Sequence, residues 1–415
     1  MTALLLLLGL SGVATPQPQV DPARPNILLV IADDMGVDKL AAYDAHPSPG
    51  KTPVLDALAA HGVLFRNAWS QPVCSPSRAA MLTGLPPAVT GVGNSIPYAS
   101  DLPSLSTDIL SLPELLRRQA GYRTAAIGKW HVVAENDGGP MHPIATGFER
   151  HLGTIDSFTS TDGVDVYTNW TKNVADARGA VQVPVTRYAT SENVDDALTV
   201  IDDFGDAPWF VWLAFNAPHA PYHKPPPELH TINLNGVPAL TPASHVKAAV
   251  QALDTELGRL LASLRPAVLA NTVVVFVGDN GTTAAAIQAP WSSSQAKGST
   301  YEGGVRVPLI VAGVGVDAPP GSPCQALITL QDLYATLAGV AGVDADALPH
   351  AQSRDLGACV DAPTAPGRPW TFTERFQPSG LAGPHTLWRR AARDERSKLL
   401  RVWKAGESTH DLLFE

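Results

Sequence analysis

The sequence predicts an α/β fold: a large, mostly parallel central sheet flanked by helices, with a smaller C-terminal α+β domain bearing a short antiparallel sheet. Three observations point there. Continuous apolar runs of strand length, such as residues 26–31 and 272–277, have the composition of strands buried on both faces. Stretches with helical spacing separate them, as a parallel sheet requires. Polar or charged residues follow the runs directly, and in open α/β sheets ligands bind beyond the carboxyl ends of the strands.

Size and composition fit. The chain has 415 residues, 45% hydrophobic and 16% charged, enough for one large domain and a smaller one. A net charge of −10 argues against a general affinity for nucleic acid or anionic membranes. Any positive charge for an anionic substrate must therefore be local. Three cysteines form no disulfide framework; Cys324 and Cys359 could pair or stay free, and Cys74 is left over.

An apolar run at residues 4–8, then Gly12, Val13 and Ala14, precedes a proline-rich stretch at 15–25. This reads as a signal peptide and linker over residues 1–20, cleaved near Ala14, and implies a periplasmic or secreted protein. No other stretch looks transmembrane. The catalytic domain is expected over 21–345 and the C-terminal domain over 346–415.

The first strand, 26–31, runs into Ala32-Asp33-Asp34-Met35-Gly36. Two adjacent carboxylates past a buried strand need neutralising, for which a cation is the natural partner; the alternative is a solvated turn. Residues 54–62 form a short amphipathic helix. Val63–Trp69 reads as a strand and Leu112–Ala120 as a helix closed by Gly121. A strand over 122–127 ends in Gly128-Lys129-Trp130-His131. Two residues apart in an extended segment, Lys129 and His131 point the same way.

From 135 to 185 the pattern weakens. Irregular structure is expected there, lining a substrate pocket with His142 and Glu149. Asn169-Trp170-Thr171 is a chance match to a glycosylation acceptor. Residues 191–204 have helical spacing. The buried strand at 209–215 ends in Asn216-Ala217-Pro218-His219 and a proline-rich loop. A long helix over 246–264 leads to the clearest strand, 272–277, which ends in Gly278-Asp279-Asn280-Gly281. The segment Lys297 to Pro308 precedes a strand at 309–312, and 330–341 is helical. Residues 370–374 and 398–403 are strands of the small C-terminal sheet.

The stretch between the second strand and the next helix is the most telling. In Cys74-Ser75-Pro76-Ser77-Arg78, proline suits a first helical turn, and Ala79 to Leu82 favour helix up to Gly84. Cys74 then lies at a helix N-terminus, where free N–H groups and the dipole favour an anion. Arg78 adds a planar cationic fork suited to tetrahedral oxyanions. Asp33, Asp34, Lys129, His131, His219, Asp279 and Asn280 all fall just past strand ends. Three carboxylates and an amide suit Ca²⁺ or Mg²⁺ better than Zn²⁺. Two lysines, two histidines and Arg78 remain to hold an anion and move protons.

The run Cys74-Ser75-Pro76-Ser77-Arg78-Ala79-Ala80-Met81-Leu82-Thr83-Gly84 resembles the type I sulfatase signature C-x-P-S-R-x-x-x-L-T-G without departure. The resemblance extends, in the family's order, to Ala32-Asp33-Asp34, Gly128 to His131, Ala217-Pro218-His219, Gly278 to Gly281 and Lys297 to Pro308. It covers residues 25 to 345 and the alkaline phosphatase superfamily fold.

The resemblance implies that a formylglycine-generating enzyme converts Cys74 to formylglycine. One hydroxyl of the aldehyde hydrate would attack sulfur, and the other would expel sulfate as the aldehyde reforms. By the same resemblance Asp33, Asp34, Asp279, Asn280 and the Cys74-derived group hold the cation. Arg78 and Lys129 bind the hydrate and sulfate oxygens, His131 takes the second hydroxyl's proton, and His219 and Lys297 bind the ester and protonate the leaving oxygen. Val132-Val133 departs from the Leu-Gly common in relatives, which touches the pocket rather than the chemistry.

The expected substrate is a sulfate ester of an alcohol or phenol, with the exported setting favouring a sulfated carbohydrate. Alternatives are a phosphodiesterase or phosphonate monoester hydrolase of the same superfamily, or a non-catalytic sulfated-glycan binder.

Overall fold

The structure, a computed structural model, describes residues 24–159, 165–344, 348 and 352–415. The expected signal peptide lies outside them. The first ten strands are β1 (Asn26–Ala32), β2 (Val63–Trp69), β3 (Arg123–Lys129), β4 (Arg150–Thr154), β5 (Trp170–Asp176), β6 (Gly179–Val185), β7 (Trp209–Ala214), β8 (Thr272–Gly278), β9 (Leu309–Gly313) and β10 (Ser322–Thr329). They build one sheet in the order β10-β2-β9-β8-β1-β7-β3-β4-β5-β6.

The apolar runs take the centre. β1, β7 and β8 are buried along their whole lengths, and β1 pairs in parallel with both of the others. Its alternate side chains serve two cores. Ile27, Leu29 and Ile31 face one, with Met81, Leu116 and Leu333; Leu28 and Val30 face the other, with Val200, Val250 and Leu257. Helices Cys74–Thr83, Leu112–Ala120 and Asp332–Val340 thus cover one face, and Pro53–His61, Ala189–Phe204 and Pro242–Ser263 the other. Among the described residues no helix is long and apolar enough to cross a membrane.

The sheet departs from sequence expectation away from its parallel centre. The stretch expected to be irregular contains β4, β5 and β6, and the last two form an antiparallel hairpin at the sheet edge. β6 is almost wholly exposed, Val181 and Val183 included, so its alternating valines mark no buried face. β9 runs antiparallel to β8 and β2.

Four further strands, β11 (Thr371–Gln377), β12 (Leu387–Arg393), β13 (Lys398–Lys404) and β14 (His410–Phe414), form the small antiparallel sheet. Hydrogen bonds tie it to the segment before Cys74. Thr373 Oγ1 donates to the Ser70 carbonyl at 2.9 Å, and the Glu374 N–H donates to Gln71 Oε1 at 2.9 Å. The Cys324 and Cys359 thiols are free and buried.

Candidate active site

Cys74 is the first residue of the helix Cys74–Thr83, as the sequence predicts, and Val73 before it is extended. Gly84 ends the helix at φ 71°, its N–H donating to the Ala80 carbonyl. A Cβ there would meet Tyr334 at 3.1 Å, so both conformation and space call for glycine. Ser77 Oγ accepts from the Gln71 N–H at 3.1 Å and donates to the Val73 carbonyl at 3.0 Å, folding the approach segment over the first turn.

The Cys74 thiol is fully buried. It donates to Asp33 Oδ1 at 3.4 Å, and Lys297 Nζ lies 3.3 Å from the sulfur, Lys129 Nζ 3.8 Å. Burial, then the Asp33 carboxylate, pushes the thiol pKa well above its ordinary range. A thiol held protonated is a poor nucleophile.

The strand ends deliver the charges. Asp33 and Asp34 follow β1, Asp279 and Asn280 follow β8, Lys129 closes β3, and His219 lies in the turn after β7. Lys129 Nζ pairs with Asp33, and Lys297 Nζ stands 2.5 Å from Asp34 Oδ1. Burial opposes the Asp33 charge, but Lys129, His219 and Arg78 outweigh it and hold the carboxyl well below its usual range. Burial likewise opposes the Lys297 charge, yet Asp34 and its neighbours raise that pKa well above the ordinary lysine value.

Arg78 is buried behind this cluster. Its Nε and Nη2 donate to Asp279 Oδ2 at 3.0 and 2.8 Å, and its Nη1 donates to the Lys129 carbonyl at 2.7 Å. The two histidines are also held. His219 Nδ1 bonds the Ala220 carbonyl, and its Nε2 lies 3.5 Å from Asp34 Oδ2. His131 Nε2 lies 3.3 Å from Asp156 Oδ1, while its Nδ1 is buried without a hydrogen-bond partner among the described residues. Burial, then Lys129 and Arg78, lowers the His131 pKa far below the usual imidazole value, so the ring is neutral at pH 7.

His131 reaches the site by a different route from the one expected. It is not in an extended segment beside Lys129; its φ is 62°, in the left-handed region. Asp34 is also left-handed, at φ 65°. Each such conformation costs about 1–3 kcal/mol and persists where surrounding contacts impose it. His142 and Glu149 do not line the site. His142 is buried between the Trp130 indole and the Leu105 carbonyl, and Glu149 pairs with Arg123.

A cation fits the oxygen-rich side of the cluster. Asp34 Oδ2 and Asn280 Oδ1 are buried acceptors without a hydrogen-bond partner among the described residues. Asn280 Nδ2 donates to Asp34 Oδ1 at 2.7 Å, which fixes the amide. Ligand atoms of Asp33, Asp34, Cys74 and His219 lie within 4.8 Å of one another. Carboxylate and amide oxygens are the donors hard dications take. His219 belongs to this cluster although the sequence-predicted ligand set leaves it out.

Two residues around the site were not anticipated. Tyr167 Oη is within 2.8 Å of the Asn216 carbonyl and 2.7 Å of the His219 carbonyl, holding the turn that carries His219. Asp156 sets its Oδ1 3.3 Å from His131 Nε2. It lies just past the end of β4, the position that marks the other site residues, but β4 falls in the stretch the sequence predicts to be irregular.

Comparisons with known proteins agree. A family model described as Sulfatase matches residues 25–343. N-acetylgalactosamine-6-sulfatase of Canis lupus familiaris is 32% identical over 372 residues, covering 82% of this chain and 66% of that protein. Arylsulfatase A of Homo sapiens is 30% identical over 359 residues, covering 81% of this chain and 67% of that protein. The chain thus spans about two thirds of the length of these relatives. A crystal structure of Ps i-CgsB in complex with k-i-k-neocarrahexaose superposes with a TM-score of 0.75 at 25% identity, covering 94% of this chain and 86% of that one. With the family model covering most of the chain and relatives above 30% identity, the chain belongs to the sulfatase family.

Proposed function

We propose that this chain is a sulfatase that hydrolyses the sulfate ester of a carbohydrate, using a formylglycine derived from Cys74 and a bound Ca²⁺ or Mg²⁺. The observation that carries this reading is the Cys74 thiol itself. It is buried, held protonated, and set 3.3 Å from Lys297 Nζ beside Asp33. Such a thiol is unsuited to attack but well placed to be replaced by an oxygen nucleophile. The named substrates of the relatives and the oligosaccharide in the Ps i-CgsB structure support the carbohydrate class.

Conversion of Cys74 supplies a hydroxyl nucleophile at a helix N-terminus. Asp33, Asp34, Asp279 and Asn280 would hold the dication, which polarises the sulfate oxygens. Lys129 and Arg78 contribute fixed positive charge behind the nucleophile, where negative charge builds on the sulfate. Lys297 and His219 both reach Asp34 and so bracket the ester oxygen; Lys297 keeps its proton firmly and stabilises charge there. His131 presents a neutral, unpartnered Nδ1 that can take a proton. The reading also places maturation by a formylglycine-generating enzyme and export to the periplasm or exterior.

The test uses the chain coexpressed with a formylglycine-generating enzyme. We expect faster release from 4-nitrophenyl sulfate than from the phosphate and phosphonate esters, and a formylglycine mass for the Cys74 peptide. Preference for a phosphorus ester would overturn the sulfatase reading. Full activity with unmodified cysteine would overturn the role of Cys74.

A further inference from the structure

The small C-terminal sheet brings two arginines to the segment that follows Lys297. Arg375 on β11 and Arg389 on β12 are directly opposite one another in the antiparallel register. Like charges at such a pair repel. Neither has a carboxylate partner among the described residues. Other arginines of the same sheet do: Arg390 pairs with Glu374, Arg393 with Glu302 and Arg401 with Asp411.

Both guanidiniums instead turn to the residue after Lys297. Arg375 Nη1 and Arg389 Nη1 donate to the Gly298 carbonyl at 3.1 and 2.9 Å. Arg375 Nε also donates to Asn94 Oδ1 at 2.9 Å. Gly298 is left-handed, at φ 87°, and a Cβ there would strike Arg375 Nη1 at 2.6 Å. Both anchors adjoin the nucleophile. The Gly298 N–H donates to the Pro72 carbonyl at 2.7 Å, and Ile96, two residues past Asn94, donates its N–H to Ser75 Oγ at 3.0 Å. Both arginines are half-buried, and burial, then Arg389, lowers the Arg375 pKa. Two cations are thus held together, partly desolvated, with donors left over among the described residues.

We propose that Arg375 and Arg389 form a subsite for a second anionic group on the substrate, a carboxylate or a further sulfate lying beside the ester that is cleaved. The inference rests on the sulfatase reading and sharpens it to acidic saccharides with at least two negative groups. Planar guanidinium forks match the geometry of both oxyanions, and such charge-assisted bonds are about twice as strong as neutral ones.

The mature enzyme is assayed on 4-nitrophenyl sulfate and on three disaccharides: a sulfated hexosamine linked to a uronate, its uronate methyl ester, and the same methyl ester carrying a second sulfate. We expect kcat/KM to be about tenfold or more higher on a doubly anionic disaccharide than on the monosulfated methyl ester. The preferred one tells a carboxylate subsite from a sulfate subsite. Arg375→Gln and Arg389→Gln should bring that ratio toward one, and Arg389→Lys should retain part of it. Equal rates of the wild type on charged and esterified disaccharides would overturn the subsite while leaving the sulfatase reading intact. So would a loss in the variants that is equal on every substrate, which would show that the arginines only support Gly298. Failure to release sulfate from any of the four substrates would overturn both.

Discussion

Arg78 and Asp279 form a buried ion pair in which two guanidinium nitrogens converge on one carboxylate oxygen. Nε and Nη2 both reach Oδ2, while Oδ1 accepts the Asp34 N–H at 3.1 Å. The third donor, Nη1, holds the Lys129 carbonyl. One side chain on the cysteine helix therefore links the ends of β1, β3 and β8, which carry the carboxylates and Lys129.

Breaking that link should cost stability as well as rate. Arg78→Ala leaves a buried carboxylate without its cation, a loss of about 3–5 kcal/mol. Arg78→Lys keeps a charge but cannot reproduce three bonds in a planar fork, so it should fall between wild type and alanine. Urea denaturation checks both. An alanine variant that unfolds at the wild-type midpoint would contradict the structural role of the pair.

Asp156 gives a prediction about rate alone. Its Oδ1 faces His131 Nε2, and its Oδ2 accepts the Tyr98 N–H at 2.8 Å, which fixes the carboxylate. A carboxylate there keeps the proton on Nε2 and leaves Nδ1 as the acceptor. Asp156→Asn can offer an N–H instead, reversing the tautomer and filling Nδ1. We expect kcat to fall by roughly tenfold or more, within the range for a misaligned base, with KM little changed. An unchanged kcat would remove His131 from the proton path.

How far the sequence reveals this depends on what burial does to each segment. β1, β7 and β8 are legible because both faces are covered, so every position is apolar. The candidate site is legible because polar residues directly after such runs have few structural reasons to be there. β6 and β12 are not legible. β6 is exposed and contains Pro184, and β12, Leu-Trp-Arg-Arg-Ala-Ala-Arg, is dominated by cations whose partners lie far away in sequence. The left-handed turn at His131 leaves no local mark, since histidine does not require it. Arg375 and Arg389 are fourteen residues apart and become a pair only through strand register.

His151 makes acid stability a sharp test of the core beside the site. It is fully buried on β4, its Nδ1–H donates to the Ala126 carbonyl at 3.2 Å, and its Nε2 has no hydrogen-bond partner among the described residues. Burial lowers its pKa from 6.5 to about 4. The sign follows from proton uptake. Between these values the unfolded chain binds a proton that the folded chain refuses, so the folded state loses stability as pH falls through the window. The contribution of this single residue is about 3 kcal/mol, all of it present above pH 6.5 and gone below pH 4. His151→Asn keeps a donor near Nδ1 and removes the titrating nitrogen. Its cavity cost is independent of pH, so the variant should be less stable than wild type at pH 7.5 and should lose less on going to pH 4.5. Urea denaturation across that range measures the two slopes. Parallel curves for wild type and variant would show that His151 is not protonated selectively in the unfolded chain.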